Sequence, residues 1–203
     1  MFKFLKPFVL LVVFGLITNA CTSTKLTNIW VDENYKGKAF SDFLVIAVTE
    51  EEGIRRSFEK KFVEDLKETG VEAISSADAI NIVADKELEK EDILKAVQKY
   101  KNDAVIITHL IGVKKERVYT PPAGSYGYYG YYDRVYGYVH SPGYYTTHKY
   151  VLLETNLYDV PTEKLIWTCQ SETWDTGSTS EMIDEVIKAV TKDMSKNGLL
   201  PNK

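Results

Sequence analysis

Cysteine is nearly absent from this chain. Two in 203 residues, Cys21 and Cys169, cannot build a disulfide scaffold or a Cys-rich zinc site. Histidine is scarce too: His109, His140 and His148 leave little material for imidazole chemistry. There is no basic surplus. Lys+Arg number 25 and Asp+Glu 29, a net charge of -4, which argues against a nucleic-acid partner. No apolar run approaches the ~20 residues a membrane-spanning helix needs. Gly-x-Ser-x-Gly, His-Glu-x-x-His and Gly-x-x-x-x-Gly-Lys-Ser/Thr are all missing. The reading is therefore of a protein that is not an enzyme, with no catalytic residue, no metal and no cofactor. What is present, 44% hydrophobic and 27% charged residues, suits one globular domain with a sizeable core.

The N-terminus carries an address. Lys3 and Lys6 precede the apolar run Phe8–Ile17, and Thr18-Asn19-Ala20-Cys21 follows. A positive start, a short apolar stretch of about ten residues and a small residue before a cleavage point make a signal peptide. With Cys21 immediately after Ala20, residues 1–20 resemble a bacterial lipoprotein signal, although Thr18 stands where that pattern prefers Leu. The resemblance implies cleavage before Cys21, a diacylglyceryl thioether and an N-acyl group on that residue, and a membrane partner reached through this anchor. Thr22 in place of Asp implies the outer membrane. Two or more acyl chains hold a protein stably, at about 0.8 kcal/mol per buried CH₂. Cleavage removes Lys3 and Lys6 and takes the net charge from -4 to -6. An acidic mature domain should not cling electrostatically to anionic lipid; the lipid anchor, not the protein surface, would hold it.

The mature chain alternates strand and helix. Residues 21–40 read as the lipidated N-terminus and tether, with a lead-in strand in 22–42. Phe43–Val48 and Asp103–Ile111 are continuous apolar runs that suit strands buried on both faces, the second continuing to about Tyr119. Between them, Ile54, Phe58, Phe62 and Leu66 form a helical stripe, with Arg55 and Glu59 among the charges of its wet face. Val71–Ile74 is a short strand, and Glu87–Lys101 a second helix. Tyr150–Val160 and Lys164–Asp175 form a hairpin in which Leu165, Trp167, Cys169 and Ser171 share one face. Ser178-Thr-Ser-Glu181 has capping-box spacing and opens the last helix, which ends at Asn197-Gly198. These elements predict an α/β domain over 41–200. It has a single mixed five-stranded sheet in the order 2-1-3-4-5, with about three helices packed against it.

Residues 119–150 stand apart. Eleven of the fourteen tyrosines lie here with five glycines and three prolines. With no helical period evident, the segment reads as a long hairpin loop, of a length that is usually functional or disordered. Tyr126, Tyr128, Tyr129, Tyr131, Tyr132, Tyr136 and Tyr138 form a candidate binding loop. Flat rings carrying hydroxyls suit a glycan, a protein or lipid headgroups. His140, His148 and Asp133 are weaker candidates for a metal. Cys169 reads as a buried free thiol.

Trp30 with Tyr35-Lys-Gly37, Phe43–Val48, Arg55-Arg-Ser-Phe-Glu59, Asp103–Ile107, Leu153–Asp159 and Lys164–Trp167 together resemble a family of uncharacterised bacterial envelope lipoproteins. Its members often carry a Gly/Tyr-rich loop at this position. The resemblance implies a lipid-anchored envelope protein of unknown biochemical role, a non-catalytic binding or accessory module with an envelope protein or glycan such as peptidoglycan as partner. It transfers no functional residue. The strand order is also similar to the small α/β domains of periplasmic assembly proteins.

Overall fold

A computed structural model of the chain describes residues 23–80, 88–120, 127–140 and 144–201. Cys21 and Tyr126 lie outside them, as does the signal segment 1–20. The strands are β1 (Thr24–Val31), β2 (Asp42–Val48), β3 (Glu72–Ser75), β4 (Ala104–Thr120), β5 (Tyr144–Asp159) and β6 (Lys164–Trp174). The helices are α1 (Glu52–Glu68), α2 (Ser76–Ala79), α3 (Lys90–Tyr100), α4 (Tyr128–His140) and α5 (Thr179–Lys196).

All six strands form one mixed sheet in the order β1-β6-β5-β4-β2-β3. β2 pairs parallel with β3 and β4, and the remaining pairings are antiparallel. The expected neighbours are all present. The corrections are more helices than the three expected, five among the described residues, and one extra strand: β1 joins β6 at the edge, inside the stretch read as tether. Its signal was weak because an edge strand buries few residues. Thr24 is buried, and its hydroxyl meets that of Thr173 at 2.8 Å. The register of β1 slips between Thr27 and Trp30, where Asn28 takes a positive φ of 49°. Such a bulge blunts an exposed edge.

The two faces of the sheet are covered differently. On one face α1 and α5 close the main core over Phe43, Val45, Ile106, Leu157, Trp167 and Cys169. Burying each such large side chain contributes roughly 1.5–3 kcal/mol. On the other, Leu44, Ile46 and Val105 pack with Ile80, the C-cap of α2, and with Ala96 and Val97 from α3. Among the described residues the helical cover stops there, and β5, β6 and β1 present Glu154, Gln170 and Asn28 in one hydrogen-bonded chain. α5 starts as its spacing predicts: the Ser178 hydroxyl accepts from the Glu181 N–H at 3.3 Å. It stops at Gly198, whose φ of 70° admits glycine without strain.

Two local readings need correction. In β6, Leu165 is only half-buried, and Ile166 joins the core with Trp167. A register shift in the β5–β6 pairing sets Leu157 against Trp167 and Tyr158 against Leu165, so Ile166 is the extra residue of a bulge. In α1, Arg55 and Glu59 are buried rather than wet. The Glu59 carboxylate accepts from the Ala47 N–H (2.9 Å), the Ala77 N–H (2.9 Å) and the Ser76 hydroxyl (2.6 Å). It ties β2, α1 and the start of α2 together. Arg55 donates to Ser76 and lies 3.9 Å from Glu59.

Candidate functional site

β4 and β5 are much longer than their neighbours. β4 pairs with β2 only as far as His109, and β5 pairs with β6 only as far as Tyr150. Beyond these points Lys115–Thr120 pairs with Tyr144–Lys149 as a two-stranded ribbon, rooted where the Lys149 carbonyl accepts from the Asp175 N–H at 2.8 Å. Six residues at about 3.4 Å each carry it roughly 20 Å past the sheet. The chain between the ribbon's ends contains α4.

The reading of 119–150 as a loop is therefore corrected. The strands reach Thr120 and resume at Tyr144, and a 13-residue helix lies between. The signal for that helix was present. Tyr128, Tyr132, Val135, Tyr136 and Val139 recur at intervals of three and four, which places them on one side of a helix. Gly130 and Gly137, poor helix formers, masked it. The aromatic side faces solvent: Tyr128 is 80% exposed, Tyr129 73%, Tyr131 61%, Tyr132 64%, Tyr136 53% and Val139 65%. Neighbouring rings lean on one another, Tyr128 on Tyr129 with centroids 4.5 Å apart and Tyr132 on Tyr136 at 5.9 Å. Of the candidate binding tyrosines, α4 brings together Tyr128, Tyr129, Tyr131, Tyr132 and Tyr136. Tyr138 lies on the same helix.

The ribbon adds charge that the sequence pattern did not reveal. Lys115 and Lys149 are direct cross-strand partners, and Arg117 lies on the same ribbon face one pair further out. Its guanidinium sits 5.7 Å from the ring centroid of Tyr145. All three cations are exposed. The opposite face of the ribbon differs: Lys114 bridges to Glu172 and lies over the Tyr150 ring, and His148 stacks on Trp174.

The chain also enters the fold here. Ser23 O accepts from the Trp174 N–H at 3.1 Å, and the Ser23 N–H donates to Glu185 on α5 at 3.3 Å. Trp174 is the register partner of Tyr150, where the ribbon begins. The N-terminal segment and the arm thus leave the same end of the sheet.

Elsewhere the polar groups are occupied structurally. Asp103 accepts from the N–H groups of Ser41 and Asp42 and from the Ser41 hydroxyl, fastening the start of β2. Half-buried His109 pairs in register with Val48 and Glu154. Hydrogen bonds from Gln170 and then Asn156 hold the Glu154 carboxyl below its ordinary range. Cys169 is buried and free, and desolvation pushes its thiol up to about 12. Among the described residues no group of three or more His, Cys, Asp or Glu could hold a metal, and the Asp133, His140 and His148 set does not assemble. No described helix is long and apolar enough to cross a membrane.

Fold and arm together define a mixed α/β protein with a protruding aromatic ribbon and helix. No family model and no curated protein matches the sequence. Among solved structures, the PelC dodecamer from Paraburkholderia phytofirmans is similar at 12% identity and a TM-score of 0.45, covering 89% of this chain and 98% of that one. Lipoprotein GNA1162 from Neisseria meningitidis is similar at 17% identity and a TM-score of 0.42, covering 77% and 99%. A PDZ domain protein from Parabacteroides distasonis gives 11% and 0.36, over 86% of this chain and 37% of that one. All three are distant likenesses.

Proposed function

We propose that this chain is a lipid-anchored protein of the bacterial cell envelope, in the outer membrane. It works without catalysis, as a binding or accessory module whose contact surface is the arm. The observation that carries this reading is the join between address and fold. β1 begins at Thr24, so a single residue, Thr22, separates the folded body at Ser23 from Cys21 in the sequence. In the sequence, a short apolar segment ending in a cysteine comes immediately before a domain that displays an exposed aromatic helix. The absence of a nucleophile–base motif and the structural engagement of Asp103 support a non-catalytic role. The test is metabolic labelling with a clickable fatty acid followed by membrane fractionation, wild type against Cys21→Ala. Loss of both label and membrane association in the variant is expected. An unlabelled, soluble wild type would overturn the anchor.

A second reading is a peptidoglycan- or glycan-binding module. It is favoured by the exposed rings of Tyr128, Tyr129 and Tyr132, whose flat faces suit stacking on sugars. Sedimentation with purified sacculi separates the two. Glycan binding requires co-sedimentation that is lost on Tyr132→Ser.

A further inference from the structure

We propose that the arm is a membrane-contact device: the aromatic side of α4 enters the interfacial layer of the bilayer that holds Cys21, and Lys115, Lys149 and Arg117 meet its anionic headgroups. The proposal rests on the lipid-anchor reading and goes beyond it by naming what the arm touches.

Length is the first argument. Ser23 is pinned beside Trp174 and Glu185 at the root of the arm. β1 and β5 flank β6, which sets the exit of the N-terminal segment about 10 Å sideways from the ribbon. From Ser23 to Cys21 the backbone reaches at most ~7 Å. The ribbon leaves the same end and runs roughly 20 Å. A bilayer gripped through Cys21 therefore lies nearer the sheet than the far end of the arm does. The arm has to lie along that bilayer or enter it.

Chemistry is the second argument. Tyrosine is favoured at membrane interfaces, where its ring is buried and its hydroxyl stays wet. An amphipathic helix with such a face lies in the interfacial plane, its apolar side sunk ~5–10 Å. Tyr128, Tyr132, Val135, Tyr136 and Val139 supply that face.

Charge is the third and is independent of the first two. Like charges placed directly opposite on paired strands destabilise the pair. Lys115 and Lys149 are so placed, and neither is in an ion pair among the described residues. With Arg117 they make a basic face on the ribbon, bounded at its root by Asp175, whose N–H donates to the Lys149 carbonyl, in a chain whose mature net charge is -6. An anionic surface relieves that repulsion. Each Lys or Arg near such a surface contributes about 1 kcal/mol, a factor of about five in binding.

The test is photocrosslinking in the full lipidated chain, purified from envelopes and reconstituted in phosphatidylethanolamine–phosphatidylglycerol vesicles. p-Benzoylphenylalanine replaces Tyr132 or Tyr136 in turn, with exposed Lys188 on α5 as control. Phospholipid adducts at Tyr132 and Tyr136 and none at Lys188 are expected. Lys115→Glu with Lys149→Glu should cut the adduct yield at least fivefold, and omitting phosphatidylglycerol should lower the wild-type yield in the same way. A fatty-acid-labelled chain with no lipid adduct overturns the proposal and leaves the anchor intact, whether the probe captures a second copy, another protein, a glycan or nothing. Lipid adducts in a chain that carries no fatty-acid label do the reverse: the arm's role stands and the anchor at Cys21 falls.

Discussion

The sheet and the arm are built from opposite rules. In the sheet, Trp167, Phe43, Phe62 and Glu59 are almost completely shielded from water, and even the charged Glu59 has each of its oxygens bonded. In the arm, the largest side chains point outward and the nearest cations face one another. A region that hides most of its large side chains, with Trp30, Leu110 and Trp174 among the exceptions, is held by its own contacts. A region that exposes them has little internal reason to do so, and its composition makes sense against something outside the chain. The comparison separates what keeps this protein folded from what it presents.

The strongest way to break the sheet without touching the arm is Glu59→Ala. It strands the N–H groups of Ala47 and Ala77 and the Ser76 hydroxyl, and it removes the buried carboxylate beside Arg55, whose guanidinium keeps its bonds to Glu52. A loss on the order of 3–5 kcal/mol is expected in chemical denaturation. A smaller loss would mean that water fills the site.

Cys169 probes the same shielding by reactivity. With its thiol near 12 against an ordinary 9, it carries about a thousandfold less thiolate near pH 8 than a free cysteine. Alkylation should therefore follow unfolding of the chain. The linked stability is complete below about 9 and is lost as pH rises towards 12.

At the border of the two regions, Thr173→Val removes the buried partner of the Thr24 hydroxyl. A cost of about 1–3 kcal/mol is expected, with local exchange of β1 amides rising first. In the arm, Tyr128→Ser, Tyr132→Ser and Tyr136→Ser should each stay within about 0.5 kcal/mol in stability, since exposed sites rarely cost more. A large loss would show that the aromatic face is packed inward. The smallest effect is on the open half of the sheet. Glu154 should titrate below the ordinary glutamate range by carboxyl NMR. Its contribution is present above that range and is lost as pH falls through the depressed value. Gln170→Ala should return it towards ordinary.

Much of the sheet was legible because burial on both faces writes continuous apolar runs, as in Phe43–Val48, and the crossovers leave few orders to choose from. β1 was hidden because half its side chains stay wet. Arg55 and Glu59 were misread because charges between apolar residues default to the solvent side of a helix, and only tertiary contact reveals that this pair turns inward. The tyrosines were legible as a surface but not as a helix: glycines broke the apparent period, and the pairing of Lys115 with Lys149 depends on a register that no local pattern encodes.

The division between core and arm is tested most directly by hydrogen exchange, comparing the lipidated chain on phosphatidylethanolamine–phosphatidylglycerol vesicles with a chain beginning at Thr22 in free solution. Amides of β2, β4 near Ile106 and α5 should be equally protected in both. Amides of α4 should exchange fast in solution and slow by an order of magnitude or more on the vesicles. Equal exchange of α4 in the two states would contradict the account.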